Sequence, residues 1–120
     1  MPEIKALLEK FKLADGYNIS NHPIISATGT HHSMGRRHYV YKITLKLSVP
    51  ECAMGKNNTR CARMCEDEFS KGITTLISKE EIVNSAYGNP YRCVLKYNSC
   101  NLDMSTGIVT LMLDGESWRV

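Results

Sequence analysis

The sequence predicts an α+β domain: an antiparallel sheet with helices packed on one face, in the order α-β-β-(β)-α-α-β-β. Three observations lead there. Residues 3–13, EIKALLEKFKL, place Ile4, Leu7, Leu8 and Phe11 at helical spacing. Residues 38–49 alternate Tyr39, Tyr41, Ile43, Leu45, Leu47 and Val49 with Val40, Lys42, Thr44, Lys46 and Ser48, the period-two pattern of a strand with one covered face. Residues 106–113 carry Ile108, Val109, Leu111, Met112 and Leu113, apolar on both parities, as a central strand would be. The 120 residues suit one domain with a modest core, and no Gly, Ser or Pro linker divides them.

The elements follow in order. Asp15-Gly16 stops the first helix. Residues 22–28, HPIISAT, read as a short strand that Pro23 confines to an edge or a strand start. Gly29 to Arg37 is then the loop leading into the strong strand, which Pro50 ends. Residues 51–54 offer a thin third strand. The Gly55–Thr59 loop opens a helix capped by Asn58 or Thr59, with Ala62, Cys65, Phe69 and Ile73 as its buried stripe. Ser78-Lys79-Glu80-Glu81 has the form of a capping box for a short helix to about Tyr87, stapled by Ile77 and Ile82. Residues 91–97 and 106–113 close the sheet, joined through Asn101–Gly107.

Charge is unevenly distributed. Residues 1–65 hold ten Lys or Arg against four Asp or Glu, and residues 66–120 hold five against eight. The first half therefore favours a polyanion. No apolar run reaches membrane length, so no membrane partner is expected. The opening MPEIKALLEKF mixes charge into its apolar positions and does not read as a secretory signal. With five cysteines, an odd number, the expectation is reduced thiols and a cytoplasmic or nuclear location.

The stretch GTHHSMGRRHY, Gly29 to Tyr39, concentrates three of the four histidines and two adjacent arginines. It could hold a metal, grip an anionic backbone, or be a solvated loop. Against a metal, the chain has no close CxxC pair. Cys61 and Cys65 share a helical face with apolar neighbours, and Cys93-x6-Cys100 is a poor ligand spacing. No metal and no cofactor is assigned. There is no GxSxG, phosphate-binding loop or HExxH pattern to organise a nucleophile or a metal-bound water, and the chain reads as non-catalytic.

An anionic backbone fits better. His31, His32, Arg36, Arg37 and His38 form one basic patch; Lys56, Arg60 and Arg63 form a second, at the start of a helix. Lys5, Lys10 and Lys12 flank the apolar stripe of the first helix. Residues 3–70, with Gly29, His38 and Tyr39 around that loop and Thr59-Arg60-Cys61-Ala62-Arg63 opening the later helix, resemble a divergent double-stranded RNA-binding domain. The loop lacks the family's proline and is longer, and Glu66, Asp67 and Glu68 stand where the family has alanines. The resemblance implies an α-β-β-β-α core and duplex RNA read by shape. It gives minor-groove contacts to a surface around Lys5, Lys10 and Lys12 and to the Gly29–His38 loop, and phosphate contacts to Arg60 and Arg63. Residues 71–120 then extend that core within a single domain, 1–120. The competing expectation is a protein-interaction or self-association module. Trp118 would be its anchor, or would simply cap the core, and the apolar strand at 108–113 could lie at a dimer boundary.

Overall fold

The structure, a computed structural model, describes residues 1–55 and 58–120. It is a six-stranded antiparallel sheet curled into a half-barrel, with two helices seated in its trough. The first helix, α1, is Ile4–Lys10. The strands are β1 Asn18–Ile19, β2 His22–Ser33, β3 His38–Ser48, β4 Glu81–Asn84, β5 Pro90–Asp103 and β6 Ile108–Arg119. Between β3 and β4 come a 3-10 turn, Pro50–Gly55, and the second helix, α2. This helix is α-helical over Asn58–Met64, π-helical over Cys65–Phe69 and α-helical again over Ser70–Leu76.

This architecture overturns the expected α+β order of α-β-β-(β)-α-α-β-β. The described residues are predominantly antiparallel strand with two helices, and those helices plug a curled sheet instead of covering the face of a flat one. Three local readings fail with it. Residues 51–54 are not a strand: Pro50 starts a 3-10 turn in which Cys52 N–H donates to Val49 C=O at 2.9 Å. The Ser78–Glu81 capping box caps nothing. Glu81–Asn84 instead pairs with β5, setting Ile82 opposite Arg92 and Val83 opposite Tyr91, and long-range pairing of these β-branched residues outweighs the local cap signal. The Gly29–Arg37 loop is mostly strand, because β2 runs on to Ser33 opposite Tyr39.

The strand order is β1-β2-β3-β6-β5-β4. β6 therefore lies between β3 and β5, and pairs with β3 from His38↔Trp118 to Ser48↔Ile108. The stretches 3–70 and 71–120 are interlocked through this pairing. The alternation of β3 sends Tyr41, Ile43, Leu45 and Leu47 into the trough, beside Val109, Leu111 and Leu113 of β6. Curling needs room at the inner bend. Gly115 of β6 supplies it, since a Cβ there would come within 2.8 Å of Leu95 Cδ2 and 3.2 Å of Tyr41 Cβ. Bulges between Ile24 and Ser26 and between Tyr97 and Ser99 bend the flanking strands further.

The trough has two ends. At the turn end lie the β2–β3 turn, the β4–β5 turn and the C-terminal residues, tied together by Arg119 N–H to Arg37 C=O (3.2 Å) and Val120 N–H to Pro90 C=O (3.1 Å). Here α1 lies lengthwise between the β2 and β4 rims, touching both, and buries Leu7, Leu8 and Phe11. At the helix end lie the 3-10 turn and the β5–β6 turn, where Val49 N–H donates to Gly107 C=O at 2.7 Å. α2 fills this half with Met64, Phe69 and Ile73.

The cysteines depart from the expected reduced thiols. Cys52–Cys61 and Cys65–Cys100 are disulfides, with Cα separations of 5.8 and 5.6 Å. Only Cys93 is a free thiol, and it is buried.

Candidate functional site

The β2–β3 turn is Gly35–Arg36–Arg37–His38, closed by His38 N–H to Gly35 C=O at 3.0 Å and flanked by Met34 N–H to His38 C=O at 2.8 Å. Arg36 (φ 51°) and Arg37 (φ 60°) both have left-handed backbone, as the central pair of such a hairpin turn requires. Asn-Gly is the usual choice there. Two arginines each carry a penalty on the order of 1 kcal/mol, and the ladder on either side enforces it. The result is a pair of exposed guanidinium groups at the tip of a long hairpin.

His31 and His32 stand behind this tip, opposite Tyr41 and Val40. Adjacent strand residues point to opposite faces, so these two rings cannot converge on one ion or one phosphate. His38 is engaged within the fold. Its Nε2 lies 2.8 Å from Glu116 Oε2, and its ring stacks on Trp118 with centroids 5.2 Å apart. The Arg92 guanidinium sits over the same indole at 5.1 Å, with Glu80 at 3.8 Å. His38, Trp118 and Arg92 are direct register partners on three neighbouring strands, so Trp118 belongs to a cross-strand row on the outer face.

Lys5 is exposed on α1 and lines a groove with Glu9 and Asp15. Arg60 and Arg63 are exposed on α2, beside a shallow groove shared with Asp67 and Glu68. Lys56 lies outside the described residues. The hairpin tip and the start of α2 fall at opposite ends of β3, whose eleven residues make a span of about 35 Å at ~3.4 Å per residue. The two basic patches are therefore separate surfaces.

Several cations elsewhere are paired with carboxylates. Lys42 pairs with Asp114 at 2.6 Å, and this contact, with Asn98 as a further donor, holds the Asp114 carboxyl below its ordinary range. Lys71, Lys79 and Arg92 also have carboxylates within 4.0 Å. Among the described residues, Arg36, Arg37, Arg60 and Arg63 form no ion pair within that distance. Arg60 acts at longer range on Glu51, whose carboxyl is lowered first by its own backbone N–H and then by His22.

Two buried groups titrate abnormally without facing either patch. Burial pushes the Tyr41 hydroxyl up to about 12 and the Cys93 thiol up to about 11. Tyr41 donates to Pro2 C=O at 3.1 Å and accepts from Ser117 Oγ at 3.0 Å, which fastens the segment before α1 to the sheet. Sequence reasoning gave no role to Tyr87, exposed in the β4–β5 turn at the same end of the sheet as the hairpin tip. The turn signal Gly88-Asn89-Pro90 was the available clue. No family model matches this chain, and neither curated proteins nor solved structures yield a match.

Proposed function

We propose that this is a non-catalytic protein that binds double-stranded RNA through its phosphate backbone, gripping it at the hairpin tip and again at the start of α2. One observation carries the reading. Among the described residues, Arg36, Arg37, Arg60 and Arg63 have no carboxylate partner and form two sites about 35 Å apart, an estimate from strand rise, with Arg119, also without one, at the hairpin end. Two grips so far apart suit a duplex read over successive minor grooves, a footprint of about 16 base pairs. Arg36 and Arg37 would contact one groove edge and Arg60 and Arg63 the next. On the outer face Lys42 and Arg92 are already paired with carboxylates and would contribute little, whereas Lys46 and Lys96 are exposed there as further cations. This differs from the contact pattern that the double-stranded RNA-binding family implies. The third strand expected there is a 3-10 turn, so the loop and the helix start are no longer neighbours.

The test is titration of the disulfide-intact protein with a short fluorescent RNA duplex, with matched DNA and single-stranded RNA as controls, at two salt concentrations. Duplex-selective binding is expected, and its salt slope should fall by about 0.9 for each phosphate that an arginine no longer neutralises. Arg36→Gln with Arg37→Gln and Arg60→Gln with Arg63→Gln should each weaken binding. Absence of duplex binding at low salt overturns the reading.

A protein partner is the second reading, and the two disulfides favour it. Such cross-links persist in oxidising compartments, which moves weight away from the cytoplasmic or nuclear expectation and toward a setting where duplex RNA is scarce.

A further inference from the structure

β2 has an open flank. β1 covers it only at Asn18↔Pro23 and Ile19↔His22, and Ile24 is held by Gly16 and Tyr17. Beyond that, Ile25–Ser33 pairs with β3 on one side and with no strand on the other among the described residues. These nine residues present about 30 Å of unpaired backbone at ~3.4 Å each. Sheet edges are ordinarily blunted by charge, proline or brevity. Here ISATGTHHS contains no Lys, Arg, Asp, Glu or Pro. The opposite rim differs in its brevity: β4 has four residues, while α1 lies beside both rims.

We propose that the occupant of this open edge is a second copy of the chain, paired antiparallel about a twofold axis at Gly29. The edge is self-complementary in that register. Thr28 faces Thr30, Ala27 faces His31 and Ser26 faces His32, so small and polar side chains flank the axis and no like formal charges oppose one another. A groove of about 460 Å³ runs between α1 and this edge, lined by Ile4, Leu8 and Ala27, with Lys5 and Glu9 at its rim. Ile4 packs directly over Gly29. The twofold axis therefore sets the two α1 helices side by side and antiparallel, so Lys5 of one protomer and Glu9 of its partner approach with opposite charge. An unrelated strand could take the backbone hydrogen bonds, but a second copy also supplies the complementary charge of Lys5 and Glu9. The free thiol of Cys93 is buried and plays no part in this association.

The test is sedimentation equilibrium of the disulfide-intact protein over a hundredfold range of concentration. A dimer of the 13.5 kDa chain is expected. Thr28→Lys with Thr30→Lys sets four lysines around the axis at positions exposed in the single chain, and should raise the dimer dissociation constant by at least about 100-fold. Thr28→Glu with Thr30→Glu should do the same. Mixing the two variants should restore a heterodimer, a rescue that misfolded chains could not give. A wild-type protein that stays monomeric throughout overturns the proposal. So does a lysine variant that dimerises as before, or a mixture of folded variants that does not recover.

Discussion

The turn-end half of the trough and the helix-end half share the same long strands but are closed by different chemistry. At the turn end, α1 is held by burial of Leu7, Leu8 and Phe11 and by the Tyr41 hydroxyl on Pro2 C=O. At the helix end, α2 is held by burial and by two covalent cross-links, one to the 3-10 turn and one to β5. A short helix on a sheet rim can be fixed by a few large side chains. A long helix that follows a proline-led turn closes a larger loop, and cross-linking limits the freedom of the unfolded chain there. Each half should therefore respond to a different insult.

The largest expected effect is reduction of both disulfides. Replacing Cys65 and Cys100 by Ala should cost about 3 kcal/mol, and replacing Cys52 and Cys61 about 2 kcal/mol, the smaller value following the shorter loop. Urea denaturation with and without reductant measures this. Hydrogen exchange should show the loss in α2 before α1. Equal loss at both ends would break the comparison.

Next comes Leu7→Ala, at about 3 kcal/mol for a fully buried leucine. Its effect should add to that of reductant without depending on it, since α1 carries no cysteine. A Leu7→Ala penalty that vanishes under reducing conditions would show the halves to be coupled.

Alkaline pH sharpens the contrast further. Folding raises the Cys93 thiol from 9.0 to about 11 and the Tyr41 hydroxyl from 10.0 to about 12, so the fold favours both neutral forms. Their contribution is intact below pH 9 and is lost as pH climbs through that window. Tyr41→Phe should flatten the upper part of the decline, while costing about 1 kcal/mol at neutral pH for the missing hydrogen bonds. An unchanged alkaline slope in Tyr41→Phe combined with Cys93→Ala would contradict the assignment. The smallest effect belongs to Lys42→Ala, which removes an exposed pair on the outer face and should cost under about 0.5 kcal/mol.

How much of this was legible depended on whether the deciding interaction was local. β3 was readable because one of its faces is the trough floor, and its alternation records that directly. α1 was readable from its apolar stripe, to within a few residues at its C-terminal end. β4 was not, because Ile82 and Val83 are strand residues only once β5 is beside them. The extra length of β2 was hidden by its open edge: Thr30, His31, His32 and Ser33 are exposed and leave no periodic trace. Arg36, Arg37, Arg60 and Arg63 were visible as basic residues, but not their separation, which depends on the direction in which β3 runs. The disulfides were misread from an odd cysteine count, whose surplus member is the core thiol Cys93.

The π-helical stretch of α2 has a consequence for how this chain can change. A π turn is an α-helix with one residue inserted, and here Ser70 N–H reaches back to Cys65 C=O. Each helical residue is a rotation of about 100°, so the insertion works like a gear with one offset tooth. Cys61 and Cys65, four apart, bond to Cys52 and Cys100 in different parts of the fold, while Phe69 and Ile73 still turn into the trough. Deleting a single residue from Glu66, Asp67 or Glu68 would bring that gear back into step. The helix would become more regular and the protein less stable, because the downstream face would swing away from the core it now fills. The segment should therefore tolerate exchange of its solvated acids far better than loss of any one of them.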